Sequence, residues 1–224
     1  MKRLLVLRHG RTEWNATGRF QGQLDPPLDA LGVSQADAAA RHLAHLKPRE
    51  IHTSDLHRAS QTADALAELC GLEAVREPRL REMHLGAWQG LTRAEVQAQF
   101  PDDYRAWAGG AMQARPPGSD GVPGETYAEV GLRIKELTSE VLDRLDDGDL
   151  AVFVTHGGTT RAFLGQMLEL PQEYWWRMAP LGNCCWSLLL EAENGWRLGE
   201  HGVGVQETAQ PQSAPDIEPG MSGF

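Results

Sequence analysis

Four short stretches of this chain hold residue types suited to moving a phosphoryl group. Arg8-His9-Gly10 and His156-Gly157-Gly158 each put a histidine directly before glycine at the end of an apolar run. Ser54-Asp55-Leu56-His57-Arg58 adds an arginine where a strand gives way to a helix, and Arg81-Glu82-Met83-His84-Leu85-Gly86 adds a carboxylate before a glycine-rich turn. A neutral imidazole can attack phosphorus and split a difficult transfer into two steps through a covalent intermediate. Arginine forks hold phosphate oxygens and balance charge as the group moves in line. A carboxylic acid can protonate the leaving alkoxide and later take a proton from the attacking water. His9 must then stay neutral, with a backbone carbonyl holding one ring N–H and the other nitrogen free. No metal is required if the arginines and the second histidine supply the positive field.

These residues can meet only if the elements carrying them are neighbours. Residues 4–7 and 150–154 are continuous apolar runs, which read as strands buried on both faces. In an open parallel sheet, ligands bind at the carboxyl ends of the strands, where His9 and His156 fall. Residues 51–54 read as a further strand, and 184–190 as another. Helices are expected over 31–46, with Asp29 as N-cap, over 56–69, stopped by Gly71, and over 126–145 and 159–168. Arg58 then sits in the first turn of its helix, where free backbone N–H groups favour an anion. This alternation predicts a three-layer α/β fold, a mostly parallel sheet with helices on both faces. Residues 108–125 are rich in Gly and Pro and read as a long loop or lid. Residues 203–224 lack apolar periodicity and read as a disordered tail.

Composition bounds the function. The 224 residues suit one domain, and the formal net charge of −10 argues against nucleic acid or an anionic membrane as partner. No apolar run is long enough to span a membrane, and the first residues do not read as a secretory signal, so a cytoplasmic location is expected. Three cysteines without a C-x-x-C spacing read as buried thiols. His42 and His45 share a helix face but lack a third ligand, so no metal site is expected.

LRHGRTEWN (7–15), SDLHRASQTA (54–63), REMHLGAWQG (81–90) and VTHGG (154–158), in that order, resemble the histidine phosphatase superfamily, in the branch that holds phosphoglycerate mutases and related phosphatases. The resemblance covers residues 3 to about 198 and implies a phosphoglycerate mutase-like histidine phosphatase domain over 1–202, with a variable substrate-covering segment at about 91–125. It implies that His9 is the nucleophile and that Arg8, Arg58 and His156 surround the transferred phosphoryl group. It further implies that Glu82 is the proton donor, that Asn15 contacts a phosphate oxygen, and that the backbone at Gly22 and Gly157 closes the pocket. It implies no cofactor, a small phosphorylated metabolite as partner and, since relatives are often dimers, a homodimer. Asn15 has a second reading, as the residue that shapes the turn after the first strand.

Within the family, the cofactor-dependent mutases carry Thr-Gly-Trp after the first motif and a longer insertion after the acid block; here that first place reads Phe20-Gln21-Gly22-Gln23-Leu24-Asp25, and the chain is on the short side. QGQLD (21–25), LREMHLGAWQGLT (80–92) and LGNCCW (181–186) are similar to glucosyl-3-phosphoglycerate phosphatases and broad-specificity phosphatases. A phosphatase is therefore expected ahead of a mutase, and both ahead of a non-catalytic phosphate binder. One departure is Trp88-Gln89-Gly90, where many members have Trp-Glu-Gly. A substrate carboxylate would find Arg11, Arg19, His84 or Arg115.

Overall fold

Leu4, Leu5, Val6 and Leu7 offer water no polar face, so the strand they form has to be covered on both sides. In the computed structural model, which describes residues 1–111 and 113–205, all four are buried inside a six-stranded sheet. Each such burial contributes about 1.5–3 kcal/mol relative to exposure. The elements run β1 (Arg3–Arg8), α1 (Glu13–Ala16), α2 (Ala30–Leu43), β2 (Glu50–Thr53), α3 (His57–Cys70), β3 (Ala74–Arg76), α4 (Arg93–Gln99), α5 (Pro101–Ala108), α6 (Tyr127–Leu142), β4 (Leu150–Thr155), α7 (Gly157–Met167), β5 (Trp186–Ala192) and β6 (Gly195–Val203).

The strand order is β3-β2-β4-β1-β5-β6. The first four strands are parallel, and β5 and β6 add an antiparallel edge. Side chains alternate across the sheet. Leu5 and Leu7 of β1, with Val152 and Val154 of β4, pack against α2 and α3. Leu4 and Val6, with Ala151 and Phe153, pack against α6, α7 and the aromatic residues of α5. The expected three layers are present. The pairing that matters for function is β1 with β4, whose last residues, Arg8 and Thr155, lie opposite one another.

Three expectations change in detail. The helix expected over 31–46 closes at Leu43 and continues as a 3-10 turn. Segment 91–125 holds two short helices, α4 and α5, before the loop. Thr92 and Glu95 form a capping box at the start of α4, and Pro101 occupies the first turn of α5. Each is too short to show periodicity in sequence. Val203, expected to begin the tail, closes β6, an exposed strand with glycines at Gly195, Gly199 and Gly202. The rest of that expected tail, 206–224, lies outside the described residues. Among the described residues, no helix is long and apolar enough to cross a membrane.

Candidate active site

β1 and β4 end side by side, which brings two histidines together. The His9 N–H donates to the Thr155 carbonyl at 2.9 Å, and the His9 and His156 rings lie 5.1 Å apart between centroids. His9 Nδ1 is 2.7 Å from the Gly10 carbonyl. A carbonyl only accepts, so Nδ1 carries the proton and Nε2 keeps its lone pair. Burial, then the charges of Arg58 and Arg8, push the His9 pKa well below the ordinary histidine value. His156 is fully buried, and burial, Arg58 and His9 push its pKa down in the same way. Neither of its ring nitrogens has a hydrogen-bond partner among the described residues.

Arg58, in the first turn of α3, is wholly buried. It donates to the Leu24 carbonyl at 2.7 Å and the Gly22 carbonyl at 2.8 Å. Burial lowers its pKa to about 10, which leaves it cationic at neutral pH. Arg8 donates to the Leu181 carbonyl at 2.6 Å. Gly22 turns the 21–25 loop with φ 51°, and a Cβ there would meet the Gln89 side chain. Gln89 Oε1 accepts from the Gln23 N–H at 2.8 Å, so the neutral residue in the Trp-Gln-Gly block braces this loop.

Glu82 arrives from the segment after β3. Its carboxylate accepts from the N–H groups of Gly158 (3.1 Å) and Thr159 (3.0 Å) at the start of α7, and from the Thr159 hydroxyl at 3.1 Å. A Cβ on Gly158 would lie 2.8 Å from Glu82 Oε1, so glycine is what allows this approach.

Arg8, His9, Arg58, Glu82, Asn15, Gly22 and Gly157 all line one cavity of about 410 Å³. Arg19, Phe20, Leu85, Arg93, Trp107 and Tyr127 contribute to the rest of its wall. Its lining holds four arginines against one carboxylate, a local positive field in a chain of net charge −10. This arrangement can bind an anion beside a neutral imidazole nucleophile, with a carboxyl group at hand for proton transfer.

A sequence model of the histidine phosphatase superfamily (branch 1) matches residues 4–203. The chain belongs to that superfamily. Among curated relatives of this histidine phosphatase, the glucosyl-3-phosphoglycerate phosphatase of Mycolicibacterium vanbaalenii is 42% identical over 192 residues, covering 83% of each chain. A probable phosphoglycerate mutase GpmB of Serratia proteamaculans is 34% identical over 196 residues, covering 88% of each. A solved structure of a mycobacterial glucosyl-3-phosphoglycerate phosphatase complexed with VO3 superposes with a TM-score of 0.83 at 37% identity, over 91% of this chain and all of that one.

Not every residue named from sequence reaches the cavity of this histidine phosphatase. His156 is not in the lining; it is fully buried with its ring against that of His9. Asn15 lines the cavity, and its side-chain oxygen also accepts from the Thr12 N–H at 3.1 Å as part of the capping box that opens α1. Of the four carboxylate candidates, only Arg19 is in the lining, held by the Gly90 carbonyl at 2.8 Å. Arg11 pairs with Asp29 at 2.8 Å, Arg115 with Glu129 at 2.6 Å, and His84 turns to the Pro123 carbonyl at 3.2 Å. The local acid or carbonyl captures each of the three.

Arg93 in the first turn of α4 was missed. It lines the cavity and has no ion-pair partner among the described residues. Thr62 was missed as well. Its hydroxyl accepts from the Gly10 N–H at 3.0 Å and donates to the Arg58 carbonyl at 2.8 Å, tying together the segments that carry His9 and Arg58. Among the described residues, no three His, Cys, Asp or Glu side chains come together to hold a metal ion, and His42 stacks on Trp186 instead.

Proposed function

We propose that this histidine phosphatase is a metal-independent phosphomonoesterase that works through a phosphohistidine on His9. The observation that carries the reading is the Nδ1–H bond to the Gly10 carbonyl, which leaves Nε2 as the nucleophilic nitrogen beside Arg8 and Arg58. Nε2 attacks phosphorus and the ester P–O bond breaks. The leaving oxygen takes the proton of the Glu82 carboxyl group. Water then attacks the phosphohistidine, its proton passes to Glu82, the N–P bond breaks, and His9 returns to its neutral state. Arg8, Arg58, His156, Asn15 and the backbone at Gly22 and Gly157 surround the phosphoryl group in this scheme.

The substrate is a small phosphorylated metabolite. The names of the relatives favour glucosyl-3-phosphoglycerate, and the cavity lining adds Arg19 and Arg93 as partners for a carboxylate. A mutase is the second reading, favoured by the GpmB relative. The test is phosphate release in the presence of a chelator, on p-nitrophenyl phosphate, 3-phosphoglycerate, glucosyl-3-phosphoglycerate and several sugar phosphates. Turnover on these esters supports the phosphatase. No phosphate release, with 2- and 3-phosphoglycerate interconverting once a bisphosphoglycerate primer is added, would favour the mutase.

A further inference from the structure

The segment that carries Glu82 has no regular secondary structure. It runs between two 3-10 turns, Pro78–Leu80 and Gly86–Trp88, so neither a helix nor a sheet fixes its path. Its main chain is held by side chains from elsewhere. Arg133 of α6 donates to the Arg79 carbonyl at 2.5 Å and to the Glu82 carbonyl at 3.2 Å. Glu125, at the end of the Gly- and Pro-rich loop, accepts from the His84 N–H at 2.8 Å, while its own N–H donates to the His84 carbonyl at 2.7 Å. Glu125 and Arg133 are themselves bonded through both carboxylate oxygens, at 3.0 and 3.1 Å. Both are largely shielded from water, with side chains 23% and 17% exposed, which strengthens these bonds. The Gln23 amide adds a bond to the Glu82 carbonyl at 3.1 Å from the loop whose carbonyls hold Arg58.

We propose that Glu125 and Arg133 are positioning residues, an ion pair that clasps the main chain on both sides of Glu82 and sets its carboxyl group for proton transfer. The proposal rests on the reading of Glu82 as the proton donor. Neither residue lines the cavity, so neither acts by touching substrate. The pair explains why the 108–125 loop ends where it does. Glu125 is its anchor, and what it anchors is the acid. A displacement of about 1 Å can cost a proton-transfer group on the order of 100-fold in rate. Removing either partner leaves the other charged and unpaired.

The effect should depend on the leaving group. An alkoxide needs the proton, whereas p-nitrophenolate leaves without it. The experiment compares kcat/KM for 3-phosphoglycerate and p-nitrophenyl phosphate, with the inhibition constant of inorganic phosphate, in the wild type and in Glu82→Gln, Arg133→Met and Glu125→Ala. The expected result is a ratio of alkyl to nitrophenyl kcat/KM reduced about 10-fold or more in Arg133→Met and Glu125→Ala, in the same direction as in Glu82→Gln. Phosphate inhibition should stay within about twofold. Equal losses on both esters, weaker phosphate binding in step with them, or no change at all would overturn the proposal. If Arg133→Met does not fold, as judged by circular dichroism, Glu125→Ala decides alone. If Glu82→Gln leaves the ratio unchanged, the assignment of the acid falls and takes the proposal with it. If Glu82→Gln shifts the ratio and the other variants do not, only the positioning proposal falls.

Discussion

His9 and His156 stand 5.1 Å apart with their rings tilted by 59°, each at the end of one of two adjacent parallel strands, yet they make no hydrogen bond to one another. His9 is fixed by its own neighbouring carbonyl, and His156 is left with both nitrogens for another partner. In the proposed scheme that partner is an oxygen of the phosphoryl group once it is on His9, the ring against which His156 packs. Replacing His156 with Ala is expected to lower kcat on the order of 100- to 1,000-fold, the range for removing one preorganised donor. Steady-state assays check this, and a loss below about fivefold would deny His156 that role.

The depressed pKa of both histidines has a sign that can be tested. The folded protein keeps them neutral where the unfolded chain, with histidine near 6.5, would protonate them. Between the folded and unfolded pKa values the unfolded state binds more protons, so stability falls as pH falls below about 6.5. The histidine contribution is fully present above that value. Thermal melts from pH 8 to 5 should show a falling Tm. The decline should be shallower in a His156→Gln variant. In parallel, the acid limb of kcat/KM should lie below pH 6.5.

Arg58 links stability to binding, because its guanidinium satisfies two backbone carbonyls from a fully buried position. Arg58→Met leaves both acceptors without a donor, at a cost of about 1–3 kcal/mol each. For a chain of this size, each kcal/mol lowers Tm by about 2–4 °C. Calorimetry should therefore show a drop of roughly 4–24 °C, accompanied by loss of phosphate inhibition. An unchanged Tm would mean that the carbonyls find other donors.

The grouping of the candidate site was legible in the sequence because each piece is contiguous and sits at an element end. His9 and His156 end apolar runs, and Arg58 opens a helix. Arg93 was not legible, because it enters the cavity from the first turn of α4, a seven-residue helix without detectable periodicity. Arg11 and Arg115 were misleading for the converse reason. Sequence shows a cation but not Asp29 or Glu129, which pair with them only in the fold. The same holds for Glu125 and Arg133, whose common partner is a main-chain segment more than 40 residues away. Strand β6 escaped because it is exposed and glycine-rich, and its order comes from pairing with β5.

Arg93 provides a test of substrate class. If it meets a carboxylate, Arg93→Gln should raise KM for 3-phosphoglycerate about tenfold, or about 1.4 kcal/mol. KM for glycerol 3-phosphate, which lacks the carboxylate, should stay within about twofold. Equal changes for the two esters would place the carboxylate elsewhere.

The central claim is a covalent phosphate on His9. The most direct measurement mixes enzyme with an excess of p-nitrophenyl phosphate, quenches within milliseconds in alkali, where phosphohistidine survives, and maps the modified peptide by mass spectrometry. Phosphate on the peptide containing His9, formed and lost at rates compatible with turnover and abolished together with activity in His9→Ala, is the predicted result. Turnover that persists in His9→Ala, with no phosphorylated His9 at any time point, would contradict it.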